Sequence, residues 1–486
     1  MSGTGRLVGQ LGPRTQRVVY GEPTGAALHQ ELSLTARIDR AHLVMLAESG
    51  LIDKATAAVL LRCIGELEAA GFAPLAGRPA PRGLYLMYEQ YLAERLGADV
   101  GGVLHTARSR NDLKATATAL RLRDRLLDLI EDALRLLGVL LARARAHRDV
   151  LMPSYTHHQA AMPVTYGYYL LGVAEAVARD VDALRGAAAG LASCPLGAGA
   201  VAGTDLRIAP QRTARLLGFA TPARHAADAV ASRDTALRAL AAATGLAVTL
   251  SRVAGDLQLW STAEFGLIWF PDRLVGSSSA MPQKRNAFLL EHLLAKPAHA
   301  VGAWTAMVTA MAGAPFSNTI EVGTEAVAAL WPGLQAVHDA VQLAQVVVLG
   351  ARPVPDRMRE RIRDGFTTAT AIANRLVRDG IPFRTAHRMV GAAVRQAVEA
   401  GTTDLAPFGL SDWLTDVDTE PAAVVAAQRY GGGPGAFEEA FRPALAEWAA
   451  LRAWCGDRRA DARHADQELR GAVALLAGID SPEEGP

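Results

Sequence analysis

The feature that most restricts the fold is a long stretch, residues 113–152, with no proline and a single glycine. Leucine and isoleucine recur through it every three or four residues, a spacing typical of an amphipathic helix. The recurring residues are Leu120, Leu126, Leu127, Ile130, Leu134, Leu137 and Leu141. At 1.5 Å per residue, about 40 helical residues form a rod about 60 Å long. A rod of this length predicts a helical bundle.

Four further stretches have the same character. They are residues 164–193, 223–270, 298–314 and 324–350, the last interrupted at Pro332. No stretch alternates convincingly like a strand, so the sequence predicts a mainly α protein. Half of the residues are hydrophobic but only 6% are aromatic, so Ala, Leu and Val dominate and suit closely packed helices. Such rods carry more apolar surface than one chain can cover, which favours a homo-oligomer.

The 486 residues exceed the usual length of one domain several-fold, and shorter helical segments flank the rods. We predict an N-terminal helical domain (1–112), a central helical bundle (113–360) and a small C-terminal helical domain (361–486). Residues 1–24 are expected to be disordered or extended, because Gly, Pro and Thr are scattered there without an apolar period. Residues 437–476 are expected to be helical.

Charge and cysteine content exclude several classes of protein. The 50 basic and 49 acidic residues give a net charge of +1, which disfavours nucleic-acid and membrane-surface partners. Cys63, Cys194 and Cys455 lie far apart, so they predict neither a disulfide framework nor a metal site. The first twenty residues lack an apolar signal region. The uncharged residues 297–320 are interpreted as a helix core and not as a membrane span, and we expect a cytoplasmic protein.

Three polar stretches contain residues that could take part in catalysis or binding. The first is serine-rich, Gly-Ser-Ser-Ser-Ala-Met-Pro-Gln-Lys-Arg-Asn at residues 276–286. Its hydroxyls, Lys284 and Asn286 could wrap an anionic substrate. The alternative is a surface linker, although Met-Pro followed by Lys-Arg-Asn is unusual for one.

The second polar stretch is His-Thr-Ala-Arg-Ser-Arg-Asn-Asp at residues 105–112, just before the longest rod. Its arginines, hydroxyls and amide could bind carboxylates. The alternative is a helix-capping turn with Asn111 or Asp112 as N-cap, which would leave the two arginines unexplained.

The third is Ser-Tyr-Thr-His-His-Gln at residues 154–159, between two rods. Its histidines could transfer protons, although a lone loop histidine is more often structural. Adjacent histidines point apart on a helix and no third ligand is evident, so a metal site is not predicted.

Together these stretches resemble the signature regions of the fumarase/aspartase superfamily, and residues 105–112 are similar to its argininosuccinate lyase branch. Residues 195–204 are also close to that branch, and the similarity runs from about residue 28 to about residue 435. The resemblance implies a three-domain, mostly helical subunit whose central helices form a twenty-helix bundle in a homotetramer. Each active site would be built by three subunits. Neither a cofactor nor a metal is expected.

The implied chemistry is reversible elimination of an amine from a small-molecule succinyl substrate, with release of fumarate. The resemblance makes Ser278 the candidate base, Lys284 and Asn286 the clamp of the dianionic intermediate, and His157 with Glu291 a His–Glu pair that supplies or orients the acid. The other expected substrate contacts are Arg108, Ser109, Asn111, Thr156, Ser279 and Met281.

The chain departs from the branch at several positions. Ser277 stands where the family has glycine, and Ala287 and Phe288 stand where it has proline and aspartate. In residues 316–325 the family's Tyr, Gln and Lys, which hold the amino-acid end of arginine, become Phe316, Glu321 and Thr324. A carboxylate there would repel that of arginine. We therefore predict a leaving amine other than arginine, one with a cation where arginine has its carboxylate.

Two other interpretations remain. One is a genuine argininosuccinate lyase of arginine biosynthesis with a diverged pocket. The other is a catalytically silent structural homologue, as the lens crystallins of this family are. A purely structural protein has no reason to keep Ser278, Lys284, Asn286, His157 and Glu291 together, which argues against silence.

Overall fold

The computed structural model describes residues 11–21, 24–414 and 419–478, and these residues are mainly helical. The α-helices in chain order are α1 (Pro13–Tyr20), α2 (Gly25–Glu48), α3 (Lys54–Ala69), α4 (Leu84–Leu96), α5 (Ala98–Gly101), α6 (Arg110–Ala146), α7 (Tyr166–Ala189), α8 (Pro210–Leu216), α9 (Ala226–Ala231), α10 (Asp234–Trp260), α11 (Phe288–Met311), α12 (Val327–Gly350), α13 (Pro355–Asp364), α14 (Ala369–Arg378), α15 (Phe383–Glu399), α16 (Pro421–Ala427) and α17 (Phe437–Ala477). Short 3₁₀ turns occupy Ala73–Leu75, Gly102–His105, Asp272–Leu274, Tyr430–Gly432 and Pro434–Ala436, and a π-helical segment, Glu321–Ala326, precedes α12.

The centre of the molecule is a bundle of α6, α7, α10, α11 and α12, whose inner faces form one continuous apolar core. Helix α6 has 37 residues and is therefore about 55 Å long. By length and composition alone, helix α10 is long and apolar enough to cross a membrane. Its residues Leu240, Leu250 and Trp260 are, however, buried in the bundle core. The predicted mainly α fold with a central bundle of long helices is confirmed.

Several predicted boundaries were wrong. Helices α11 and α12 run through Pro297 and Pro332, because packing against α10 and α6 outweighs the local cost of a proline. The predicted rod over residues 223–270 is broken at Ser232, whose extended backbone ends α9 before α10 begins. Residues 13–20 form α1, with Pro13 suited to a first helical position, although they were expected to be irregular. The rest of that predicted segment includes 1–10 and 22–23, which lie outside the described residues.

The absence of strands was also predicted wrongly, since β1 (Leu151–Thr156) and β2 (Gln159–Thr165) form an antiparallel hairpin. Its register shifts between Pro153 and Tyr155, so the alternation that signals a strand is broken in the sequence. The remaining strands are two-residue pairs: β3 (Ser193–Cys194) with β4 (Thr221–Pro222), β5 (Ile268–Trp269) with β8 (Arg352–Pro353), and β6 (Gly276–Ser277) with β7 (Arg285–Asn286).

Three smaller apolar clusters surround the bundle. Helices α2, α3 and α4 enclose one, and the start of α6 with segment 194–219 and α2 encloses another. Helices α14 and α15 form a separate cluster. The 41-residue α17 packs into the bundle core through Phe441 and into the N-terminal cluster through Ala477. The predicted third domain, 361–486, therefore includes a helix whose buried residues lie in the other two regions.

The bundle has two ends that carry different polar stretches. At the end where α6 and α12 begin, which we call the upper end, Lys114 contacts Thr324. At the opposite or lower end, Tyr155, which follows α6, packs on Trp260, the last residue of α10. Helix α11 begins there too, because its Leu294 lies beside Gly255 of α10. Motif 105–112 and residues 316–325 thus lie at the upper end, and the hairpin and the serine-rich loop lie at the lower end.

Candidate active site

The serine-rich loop is closed at its base by β6 and β7, where Gly276 pairs with Asn286. Within the loop, the Ser278 hydroxyl oxygen accepts hydrogen bonds from the backbone N–H groups of Ala280 (3.3 Å) and Met281 (3.1 Å). The Lys284 N–H donates to the Met281 carbonyl (3.1 Å) and closes the turn. Two N–H donors aimed at one oxygen are an arrangement that stabilises negative charge on that oxygen.

Arg285 anchors this loop to the body of the subunit. Its guanidinium donates to the Phe270 carbonyl (2.7 Å), pairs with the Asp272 carboxylate (2.5 Å) and lies over the Trp269 ring. The side chain of Lys284, one residue earlier, is exposed. The loop is therefore fixed at its base, and Lys284 is open to solvent or ligand within the single subunit.

The hairpin β1–β2 presents the second candidate group at its turn. His157 and His158 form the turn, both with a left-handed backbone (φ 52° and 59°), and Thr156 and both histidines are exposed. Tyr155 holds the hairpin against Trp260 and Phe265. Glu291 lies exposed in the first turn of α11, and within this one subunit it forms no hydrogen bond or ion pair with His157.

The motif 105–112 is built into the start of α6 as a capping box. Ser109 is the N-cap, in place of the predicted Asn111 or Asp112, and its N–H donates to the Asp112 carboxylate (2.9 Å). The other Asp112 oxygen accepts from the N–H groups of Gly197 (3.1 Å) and Gly199 (2.9 Å). The Asn111 amide donates to the Ala200 carbonyl (3.0 Å). Asp112 therefore holds the 195–204 loop against the first turn of α6.

The two arginines of this motif have different surroundings. The Arg108 side chain is 0% exposed, pairs with Asp39 (2.5 Å) and donates to the Tyr85 hydroxyl (2.7 Å). Burial raises the pKa of Asp39, and the Arg108 charge opposes that shift. Arg110 is the first residue of α6 and is exposed beside Asn111. Because a helix N-terminus favours anions, Arg110 is the arginine placed to bind one.

The family resemblance implies Arg108 as the substrate contact and gives Arg110 no role. The signal that could have found Arg110 is Ser109, which as N-cap places the next residue at the helix N-terminus. Arg108, the predicted substrate contact, instead pairs with Asp39 on α2, which lies 69 residues earlier in the chain.

The divergent stretch 316–325 lies at the upper end, near Arg110. Phe316 is 73% exposed, and the Glu321 side chain is exposed at the start of the π-helical segment. The Thr324 hydroxyl accepts a hydrogen bond from the Lys114 ammonium (3.1 Å). A π turn in place of regular helix is frequent at functional sites.

A cavity of about 1240 Å³ opens beside this stretch, between α2, α6, α12 and α17. Its lining includes Glu31, Ser33, Lys114, Arg121, Thr324 and Trp331. Among residues 11–21, 24–414 and 419–478, no group of three His, Cys, Asp or Glu side chains is arranged to hold a metal ion. The charged groups that face the cavity could bind a polar organic molecule.

The fold and these motifs define a lyase of the fumarase/aspartase superfamily. The chain matches the lyase family over residues 85–302 and the argininosuccinate lyase C-terminal family over residues 366–421. The structure of EDDS lyase in complex with formate is similar, with a TM-score of 0.84 and 27% identity over 97% of this chain and 100% of that one. Class II fumarase from Schistosoma mansoni shares the fold, with a TM-score of 0.70 and 16% identity over 83% and 91% of the chains.

Two relatives narrow the class further. Argininosuccinate lyase from Methanoculleus marisnigri is 37% identical over 409 residues, which cover 82% of this chain and 83% of the relative. The enzyme of the same name from Halobacterium salinarum is 38% identical with the same coverage. The chain belongs to the argininosuccinate lyase branch of the superfamily, as its motifs predicted, and is a carbon–nitrogen lyase that releases fumarate.

Proposed function

We propose that this lyase eliminates an amine other than arginine from a succinyl substrate, with Ser278 as the base. The observation that carries the base assignment is the pair of backbone N–H groups that face the Ser278 oxygen. An ordinary serine hydroxyl is a poor base, and such donors would stabilise its alkoxide. A variant of EDDS lyase, 28% identical to this chain, has been solved with bound fumarate, which supports fumarate as the shared product.

In this proposal Ser278 removes a proton from the carbon beside a carboxylate, and that carboxylate takes up the developing charge. Lys284 and Asn286 bind the resulting dianion, with Ser279 and Met281 beside it in the same loop. Arg110, Ser109 and Asn111 bind the succinyl carboxylates at the α6 N-terminus. Arg110 takes the part that the sequence gave to Arg108, because the Arg108 guanidinium is buried with Asp39.

The distance between the two ends of the bundle supports a site shared between subunits. Because α6 spans about 55 Å, the Ser278 and Asn111 of one chain lie too far apart to touch one succinyl group. Helix α11 adds a second argument, because only Leu290, Leu293, Ala300 and Met307 of its 24 residues are buried although the helix is strongly apolar. We therefore propose a homotetramer in which four copies of the five bundle helices give twenty.

The same assembly would bring together groups that one subunit keeps apart. We propose that His157 and Glu291 meet across a subunit interface and form the pair that protonates the leaving nitrogen or orients the acid. Thr156, next to His157 and also exposed, would reach the fumarate from the same hairpin. Three buried free cysteines fit a reducing compartment, so we place the enzyme in the cytoplasm.

The leaving amine is tested by incubating the purified enzyme with argininosuccinate and following fumarate absorbance. We expect turnover far below the usual enzymatic rate of about 10 per second, because Phe316, Glu321 and Thr324 replace the implied arginine contacts. Turnover at an ordinary rate would refute the altered amine and identify a genuine argininosuccinate lyase, which the similarity to enzymes of that name favours. A folded tetramer that releases no fumarate from any succinyl amine would support the silent homologue.

A further inference from the structure

Lys114 occupies a place that the motifs did not assign. It lies one turn after Arg110 on α6, so the two cations share one face of the helix with about 6 Å between their Cβ atoms. Its ammonium donates to the hydroxyl of Thr324, the position where the family resemblance implies a lysine. A cation therefore lies beside residue 324, but it is the Lys114 side chain of α6 and not a side chain of the π-helical segment.

The surroundings of Lys114 leave its charge available. No carboxylate lies within 4.0 Å of its ammonium among the described residues, and its side chain is exposed to the 1240 Å³ cavity. Partial desolvation in the cavity wall lowers the pKa of Lys114, the Glu31 charge opposes that shift, and Arg233 and Arg110 add to it. The Lys114 ammonium thus lies near two further cations, Arg233 and Arg110, and one carboxylate, Glu31, so an anion is favoured beside it.

We infer that Lys114, positioned by Thr324, binds a carboxylate carried by the leaving amine, so that the amine is an amino acid or another amino-carboxylate. The inference rests on the proposed function, because it takes the succinyl carboxylates to lie at Arg110 and Asn111. A substrate that extends from there along α6 meets Lys114 next. This reverses the expectation, drawn from Thr324 and Glu321 alone, that the amine carries a cation at this point.

The cavity follows α6 from Leu113 to Asp128. Lys114 lies in the wall of this cavity near Thr324, and Arg121 and Arg125 follow along the same helix. Of these three cations, Lys114 is nearest to the α6 N-terminus, so it is the one that a carboxylate on the amine would contact.

The test uses the reverse reaction, in which the nitrogen of an amine adds to one alkene carbon of fumarate and a proton adds to the other. Glycine, β-alanine and γ-aminobutyrate are each compared with the corresponding carboxamide by the loss of fumarate absorbance. We expect the wild-type enzyme to prefer the best carboxylate over its amide by about ten- to a hundredfold in kcat/KM, as a charge-assisted hydrogen bond would give. Lys114→Met should abolish this preference and leave the rate with the amide nearly unchanged, whereas Lys114→Arg should retain part of it.

Arg125→Met is the matched control, because Arg125 is a cation in the same cavity wall about 16 Å further along α6. It should keep the wild-type preference, and circular dichroism should show that all three variants remain folded. A wild-type enzyme that adds acids and amides to fumarate equally, or a Lys114→Met variant that keeps the preference, would overturn the inference and leave the lyase function standing. Absence of addition with every amine would overturn the proposed function, and the inference would fall with it.

Discussion

The upper and lower ends of the bundle differ in how complete they are within one chain. At the upper end, Asp112 accepts three backbone hydrogen bonds and Arg108 is sealed against Asp39, so the anion-binding turn is rigid before any partner arrives. At the lower end, Lys284 and His157 are exposed and lack comparable contacts. The difference indicates that a single subunit preorganises the anion-binding turn, whereas Lys284 and His157 would obtain their surroundings from the proposed assembly and from the substrate.

The largest expected effect is on catalysis at the lower end, where the proposed base lies. Ser278→Ala should lower kcat by about a hundred- to ten-thousandfold, the usual contribution of a general base. The melting temperature should change little, because the N–H groups of Ala280 and Met281 that lose their acceptor are exposed and can bind water. The measurement is fumarate release together with thermal unfolding. Ser277→Ala is the matched control, since Ser277 is an exposed neighbour with no assigned role. A Ser278→Ala enzyme with nearly full activity would remove Ser278 as the base.

The buried ion pair at the upper end should show the opposite behaviour, a loss of stability. Arg108→Met leaves Asp39 buried without its partner and should lower the free energy of unfolding by about 3–5 kcal/mol, read from denaturant titration. Arg110→Met, at an exposed position, should leave stability unchanged and raise KM for the succinyl substrate. If Arg108→Met kept its stability and Arg110→Met lost it, our assignment of the two arginines would be reversed.

The smallest expected effect concerns the ion pairs between Glu468 of α17 and two arginines of α8, Arg212 and Arg215. Burial opposes ionisation of Glu468, but hydrogen bonds from Arg215 and Arg212 lower its pKa below the usual 4.5. A lowered carboxyl pKa stabilises the fold above the unfolded-state value and loses that contribution as pH falls through the folded-state value. Glu468→Gln should therefore cost about 1 kcal/mol at neutral pH, and the difference from wild type should vanish well below pH 4.5. A difference in melting temperature between wild type and Glu468→Gln that persists in acid would contradict a stabilising role of these ion pairs.

The sequence predicts best the features that depend on neighbours along the chain. The period of leucines placed α6 nearly correctly, and three short motifs predicted the family. Features that depend on distant residues were missed. The partner of Arg108 lies on another helix, and the proline-containing α11 exists because α10 and α12 flank it. The roles assigned to Ser278, His157 and Glu291 stay predictions.

Helix α17 also has a consequence for how the protein is made. Its last turn contributes Ala477 to the apolar cluster of α2, α3 and α4, and Arg62 donates to the Ala477 carbonyl (2.8 Å). A ribosome that has synthesised the first 436 residues has produced every candidate catalytic group but not the helix that completes the N-terminal cluster. Although N-terminal segments generally fold first during synthesis, the N-terminal cluster is complete only after Ala477 has emerged. Truncation before α17 should therefore expose the N-terminal cluster to aggregation.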